Sequence, residues 1–237
     1  MKTALSLKTE RILSKSALDQ PLAKVSISSR GLGWGSVMVN ISSALGGSAL
    51  GTRLLGGHSM IEKGQVVLML GESGGAFTAA FRGVTGGQFH FKPAPDRWSI
   101  AETAEHVTVA ETGSGKLIRG KLVREATAPE LLAQTVGAEE RVDGRLAKRD
   151  QPFPAPDFVL PTGRWTTPEE MIAVFEESRQ ATIDFIKTTE HDLTTFAVPH
   201  PALGPLNGLQ WGYFLVRHCV RHIEQIDEVK AAAGYPK

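Results

Sequence analysis

The stretch WGYFLVRHCVRHIEQIDEV, residues 211–229, predicts an amphipathic helix that carries two histidines on its core-facing side. The core-facing positions recur at intervals of four and three residues, which is the helical period: Trp211, Leu215, His218, His222, Gln225 and Val229. Residues four apart lie one turn above each other on the same face, so the imidazoles of His218 and His222 could bind one ion. The alternative is a pair of buried histidines that hydrogen-bond to carbonyl or carboxylate groups.

Helix-start motifs predict three of the four main helices. SIAE (99–102) and TPEE (167–170) each place a hydroxyl at the N-cap and a glutamate three residues later, and NGLQ (207–210) is an asparagine-led version. Upstream, VVLMLGESGGAFTAAFRGV (66–84) predicts the first helix. We expect it to be irregular or closely packed at its glycines, because each costs about 1 kcal/mol relative to alanine. The second helix is predicted to reach about Val123.

A long connection, residues 124–165, joins the second and third predicted helices. Its segment QPFPAPDFVLP (151–161) is too rich in proline for regular structure, whereas APELLAQTV (128–136) is compatible with a short helix. No segment of the chain shows a convincing strand pattern. The sequence therefore predicts an all-α fold, a four-helix bundle with a long crossover between helices 2 and 3.

Residues 1–59 differ in composition from the rest of the chain. They contain seven Lys or Arg residues, eleven serines and only two acids, with no strong helical or strand period. Such a segment has little with which to build a core, so we expect a poorly structured, low-complexity extension without chemistry. A transit peptide or a segment upstream of a natural start at Met60 would each explain it, whereas a signal peptide fits poorly. The predicted domain spans residues 60–237.

Composition excludes several classes of function. The net charge of +1 does not favour a nucleic-acid partner, and no window is long and apolar enough for a spanning helix. The single cysteine, Cys219, rules out an internal disulfide and suits a reducing compartment. We therefore expect a cytoplasmic protein with neither a nucleic-acid nor a membrane partner.

A third histidine would complete a metal site with His218 and His222. His106 is the best candidate, because it lies within the second predicted helix, one turn beyond Glu102. The alternative is a partly buried histidine paired with Glu102, or one that this carboxylate orients. The other histidines, His58, His90, His191 and His200, lie in the extension, in loops or at a helix end. Three neutral imidazoles suit zinc, nickel, copper or iron and leave an open position on the ion.

Three further features carry less chemistry. Cys219 lies close to the histidine seam, where a small core residue is the simpler interpretation and a soft metal ligand the alternative. GSGK (113–116) lacks the remainder of a phosphate-binding loop. GESGG (71–75) has the letters of a nucleophile elbow in a helical context that does not suit one.

Three stretches together resemble the DinB-like family of metal-binding four-helix bundles: KPAPDRWSIAETAEHV (92–107), PTGRWTTPEEMIAVFEESR (161–179) and LNGLQWGYFLVRHCVRHIEQI (206–226). The resemblance extends from about Met60 to Lys237. It implies that His106, His218 and His222 form the metal triad. The family includes thiol S-transferases that use bacillithiol, mycothiol or glutathione, some isomerases or hydrolases, and many proteins without a known activity.

The resemblance implies a divalent-metal-dependent thiol S-transferase that acts on a small electrophile, with zinc, nickel or iron as the ion. A metal-dependent hydrolase is one alternative, and a non-catalytic, stress-related dimeric metal-binding module is another. The expected partners are a small-molecule substrate such as a low-molecular-weight thiol, and a second copy in a homodimer. We expect Trp98, Trp165, Trp211 and the 150–165 loop to form the walls of the substrate site.

Overall fold

The computed structural model describes residues 61–124, 126–148 and 155–237. The predicted extension, residues 1–59, lies outside these ranges, so the domain boundary at residue 60 stays a prediction. The described elements are α1 (Lys63–Ala79), α2 (Gly86–Phe89), α3 (Ile100–Lys116), α4 (Pro129–Ala133), α5 (Ala138–Leu146), α6 (Pro168–Thr188), β1 (Ala197–His200), β2 (Gly204–Asn207) and α7 (Gly208–Ala231).

The three predicted N-caps are in place at the starts of α3, α6 and α7. Ser99 Oγ accepts the Glu102 amide at 3.1 Å, Thr167 Oγ1 accepts the Glu170 amide at 3.3 Å, and Asn207 accepts the amide of Gln210 at 2.9 Å. Each cap satisfies a backbone donor that the first turn leaves without a partner. These local bonds fix where each helix begins and therefore which of its faces meets the core.

The four long helices α1, α3, α6 and α7 form a ring of contacts. Helices α1 and α3 each pack against both α6 and α7. A Cβ atom at Gly212 would stand 2.6 Å from Val66 Cγ1, so glycine allows α7 to approach α1 closely. Gly74 of α1 similarly lies against the Arg179 side chain. The predicted all-α four-helix bundle is confirmed, and none of the described helices is long and apolar enough to cross a bilayer.

The connection between α3 and α6 contains more regular structure than predicted. A π-helical turn, Leu117–Lys121, continues α3 nearly as far as expected. The short helix predicted at 128–136 is α4, whereas α5 was not predicted. With nine residues, α5 has only Ala138, Val142 and Leu146 as buried apolar positions, which are too few repeats to establish a helical period from the sequence.

The bundle also carries a short hairpin, although no segment of the sequence showed a convincing strand pattern. Strands β1 and β2 form an antiparallel hairpin in the register Ala197 with Asn207 to His200 with Gly204. Prolines occupy both strands, Pro199 and Pro205, which is why the sequence did not suggest pairing. Gly204 adopts a φ of 74°, a left-handed conformation that favours glycine. The hairpin leads directly into α7 and brings His200 beside that helix.

Candidate metal centre

The structure brings together the three histidines that the sequence singled out. His106 lies in the second turn of α3, and His218 and His222 lie one turn apart on α7. The Nε2 atom of His218 is 3.1 Å from that of His106 and 3.2 Å from that of His222. All three side chains are buried, and their ligand atoms lie within 4.8 Å of one another.

The outward-facing nitrogens set the tautomers of two of these imidazoles. His106 Nδ1 lies 3.0 Å from the Val159 carbonyl oxygen, and His222 Nδ1 lies 2.9 Å from Gln225 Oε1. Since both oxygens accept, each Nδ1 carries the proton and donates it. Each Nε2 therefore presents an unprotonated lone pair to the common centre, as a metal-ligating histidine requires.

This donor set fits one divalent cation. Two nitrogens that each lie about 2.0–2.1 Å from a tetrahedral ion are about 3.3–3.4 Å apart, close to the observed separations. Burial lowers the pKa of both His106 and His218, and the neighbouring imidazoles lower that of His218 further. His106 and His218 are thus neutral, which is the ligand form. His218 Nε2 faces the Nε2 atoms of both other histidines, and it can donate or accept only one hydrogen bond. Hydrogen bonds among the three imidazoles therefore cannot satisfy all three nitrogens.

The alternative hypothesis that Glu102 pairs with His106 or orients it is wrong. Its carboxylate bonds Lys92 Nζ at 2.8 Å and the Ser99 amide, and it makes no hydrogen bond to His106. Capping and the lysine occupy the same oxygens that would be needed for the imidazole. The ring of His106 lies instead against Trp98, with their centroids 5.1 Å apart.

The remaining histidines do not join the triad. His58 is outside the described residues. His90 bonds the Thr166 carbonyl, and His191 is exposed beside Phe196. His200 packs against Trp211 and Phe214, and burial lowers its pKa to about 4, so it is neutral at neutral pH.

Cys219 is a core residue on the far side of the histidine seam. Its Sγ accepts a hydrogen bond from Arg179 at 3.1 Å, and burial raises the pKa of the thiol to about 11. A thiol in that state is a poor nucleophile and a poor ligand. The GSGK and GESGG stretches lie within α3 and α1, respectively, where neither forms a loop.

A cavity of about 1080 Å³ opens beside the three imidazoles. Trp98 and Trp211 line it as predicted, and so does the described start of the 150–165 loop, residues 155, 156, 158 and 159. Trp165 does not: it packs against the apolar cluster around Phe77, Phe89 and Met171. A ligand in this cavity would have direct access to the Nε2 side of the histidines.

Glu105 supports the site and was missed at the level of sequence. Its carboxylate is 2 % exposed and accepts the amides of Thr162, Gly163 and Arg164 at 2.8, 2.8 and 3.3 Å. The Arg164 guanidinium adds an ion pair at 3.3 Å. These bonds fasten to α3 the same segment whose Val159 carbonyl holds His106. The position of Glu105 immediately before His106 was visible, but its partners lie 57 residues away and beyond.

We expect Glu105→Gln to free the His106 imidazole from its single tautomer, so that the proton is no longer held on Nδ1. Glutamine offers one acceptor oxygen in place of two, so the 162–164 amides lose partners and the Val159 carbonyl is no longer held at Nδ1. In the metal-free protein, ¹⁵N NMR of the imidazoles should show protonated Nδ1 for His106 in the wild type and a mixture of tautomers in the variant. The free energy of unfolding should fall by about 1.5–3 kcal/mol, as for a hydrogen bond to a charged group.

Glu102→Gln is the matched control for that change. It removes a carboxylate from the same helix, one turn away, that contacts neither the loop nor His106. The control should leave the His106 tautomer as in the wild type. A fully protonated Nδ1 in Glu105→Gln would show that the loop does not depend on Glu105 to orient the ring.

Comparison with known proteins places the fold and the histidines in a family context. The family model described as the DinB superfamily matches residues 69–226, more than half of the chain, and all three histidines lie within the matched range. The chain is similar to the uncharacterized protein YuaE of Bacillus subtilis (strain 168), with 27 % identity over 152 residues, covering 63 % of this chain and 87 % of the relative. No solved structure matches the chain significantly.

Proposed function

The chain belongs to the DinB superfamily, and we propose that it is a divalent-metal-dependent thiol S-transferase whose ion is held by His106, His218 and His222. Family membership and the three-histidine group together support a metal-binding protein. The transferase reaction and the choice among zinc, nickel and iron are the further steps of the proposal. The observation that carries it is the convergence of three buried imidazoles beside a large cavity.

Three protein ligands leave room for an exogenous group, as in catalytic rather than structural sites. A divalent ion in such a site lowers the pKa of a thiol or water that it binds, which supplies a nucleophile at neutral pH. The chain itself holds the proton of His106 at Nδ1 through Val159. It also shields the site from water with aromatic rings: Trp98 lies against His106, and Phe214 stacks on His218 at 5.2 Å.

The proposal also concerns where the protein acts and with which partners. A small-molecule thiol is available in its reduced form in the cytoplasm, where we place the reaction. No nucleic acid and no membrane takes part in it. The homodimer implied by the resemblance stays a prediction, which light scattering of the purified protein would test.

A thiol-transfer assay tests the function. Protein loaded separately with zinc, nickel or iron is mixed with glutathione, bacillithiol or mycothiol and 1-chloro-2,4-dinitrobenzene, and the conjugate is followed by absorbance. We expect one metal and thiol combination to accelerate conjugation at least about a hundredfold over His106→Gln treated with the same metal and thiol. Turnover of ester substrates without thiol would instead indicate the hydrolase. Stoichiometric metal without turnover of either kind would indicate the non-catalytic module.

A further inference from the structure

One wall of the cavity is a continuous face of α3 and of the π-helical turn that follows it. The residues that line it recur at helical spacing: His106, Val109, Ala110, Gly113, Ser114, Leu117 and Lys121. The fifteen steps from His106 to Lys121, at about 1.5 Å each, span about 22 Å, with a histidine of the triad at one end and a cation at the other. The middle of the face is made of small side chains. A Cβ atom at Gly113 would meet nothing within 4 Å, which is the open space of the cavity.

The opposite wall is apolar and largely aromatic. Trp211 and Phe214 come from α7, and Val198, Pro199 and His200 come from the hairpin. The indole N–H of Trp211 is already donated to the Val198 carbonyl at 3.2 Å. The His200 imidazole packs 4.5 Å from the centroid of Phe214. This wall therefore offers surface to an apolar body rather than donors to a polar one.

The charges on the cavity lining are unequal. Among the described lining residues, Arg97, Lys121, Arg145 and Arg221 are cationic and only Asp96 is anionic. Arg97 pairs with Glu228 at 3.2 Å, and Arg221 donates to the Leu146 and Lys148 carbonyls. Arg97, Arg145 and Arg221 have partners of their own, so Lys121 is the lining cation towards which an anionic group would be directed. A cation at a cleft with low-dielectric walls attracts anions and disfavours other cations.

We propose that the cavity binds an elongated small molecule with an apolar body and an anionic end group. The body lies between the small-residue face of α3 and the Trp211–Phe214 wall, and the anionic group is directed towards Lys121. This deepens the proposed function by naming the class of substrate. It depends on that function only in placing the reactive end of the molecule at the histidines.

Two probes of equal length and opposite charge test this assignment. Decanoate and decylammonium, each below its micelle concentration, are titrated into the protein while the fluorescence of its tryptophans is recorded, since Trp98 and Trp211 line the cavity. We expect decanoate to bind at least about tenfold more tightly than decylammonium, with a preference that shrinks as salt is added. Equal affinities would overturn the assignment of an anionic ligand.

Matched variants locate the two ends of the ligand. Lys121→Gln should weaken decanoate binding about threefold to tenfold. Lys116→Gln, on the same helix but outside the cavity lining, should leave it unchanged. Gly113→Leu should weaken binding of both probes at least about tenfold, because the added side chain narrows the cleft beside α3. It should not impair folding, because leucine is the better helix former. Gly144→Leu on α5, where an added Cβ also meets nothing within 4 Å, is its control.

Full decanoate affinity in Gly113→Leu would show that the ligand does not lie along α3. The titrations are made on metal-free and on zinc-loaded protein, so that the two proposals fail separately. If the protein prefers decanoate but does not retain zinc after loading, the metal-dependent function is refuted and the ligand class stands. If the protein retains metal and is an active transferase but binds decanoate and decylammonium equally, the ligand class is refuted and the metal-dependent function stands.

Discussion

Replacing His218 with alanine is expected to weaken zinc binding at least about a hundredfold while the helices stay folded. His218 holds the central position of the triad, because its Nε2 lies 3.1 Å from that of His106 and 3.2 Å from that of His222. Loss of a group that merely orients a ligand typically costs 10–100-fold in metal affinity, and loss of the ligand itself should cost more. Two imidazoles on different helices would remain, with no third nitrogen to complete the coordination.

Elemental analysis and chelator competition on purified protein measure this effect, and circular dichroism follows helix content. His191→Ala is the matched control, because His191 is exposed and lies outside the triad. We expect about one metal ion per chain in the wild type and in the control, and none in His218→Ala after dialysis. Stoichiometric, tightly held metal in His218→Ala would mean that the three histidines are not the site.

Thermal unfolding provides an independent measure of the same site. Free zinc at about a hundred times Kd stabilises a folded protein by about 2.7 kcal/mol, which for a domain of this size raises Tm by about 5–10 °C. Zinc should have this effect on the wild type and on His191→Ala, and no effect on His218→Ala. A variant that failed to fold would show no cooperative transition without zinc, so the two explanations separate.

The part of this site that the sequence predicted consists of local signals. The Ser99 cap sets the start of α3 and thereby the turn on which His106 lies, and the four-residue spacing puts His218 and His222 on one face. Both signals operate within one or two turns of a helix. The third ligand needed the family resemblance as well, because nothing local relates α3 to α7.

The parts that the sequence did not predict depend on long-range contacts. Glu105 precedes His106, yet its role comes from amides of the 162–164 segment. Trp165 was expected to line the cavity, but it is partly buried against an apolar core cluster instead. The hairpin was not predicted for two reasons: each strand contains a proline, and each is only four residues long. In all three cases the residue type was compatible with two environments, and only tertiary packing chose between them.

A buried polar layer, defined here as Ser73, Glu111, Arg179 and Cys219, was likewise invisible to sequence patterns. It takes one residue from each of the four long helices. Its member Cys219 also belongs to the apolar cluster around Phe77, Val107 and Phe175. Arg179 donates to both Glu111 oxygens at 2.9 and 2.8 Å, to Ser73 Oγ at 3.1 Å and to Cys219 Sγ. The side chains of Arg179 and Glu111 are 4 % and 1 % exposed, respectively.

Arg179→Met should lower the free energy of unfolding by about 3–5 kcal/mol at pH 7.5, the cost of leaving one buried charge without its partner. Burial raises the pKa of Glu111 and the guanidinium opposes that rise, so in the variant the pKa rises further. A carboxyl whose folded-state pKa is raised stabilises the fold below its unfolded pKa and loses that contribution as pH increases. The deficit of Arg179→Met should therefore be smaller at pH 5 than at pH 7.5.

Urea unfolding of Arg179→Met, Glu111→Leu and the double variant at both pH values separates the ion pair from the packing around it. Replacing both charges with apolar side chains removes the unpaired carboxylate, so the double variant should be more stable than Arg179→Met by about 2 kcal/mol or more and lose the extra pH dependence. Glu176→Leu is the control, because Glu176 lies on α6 with Arg179 and forms an exposed ion pair with Arg82. It should change the free energy of unfolding by less than about 1 kcal/mol. Strictly additive losses in the double variant would show that Glu111 and Arg179 act on the fold independently, and that the layer does not join the four helices through this pair.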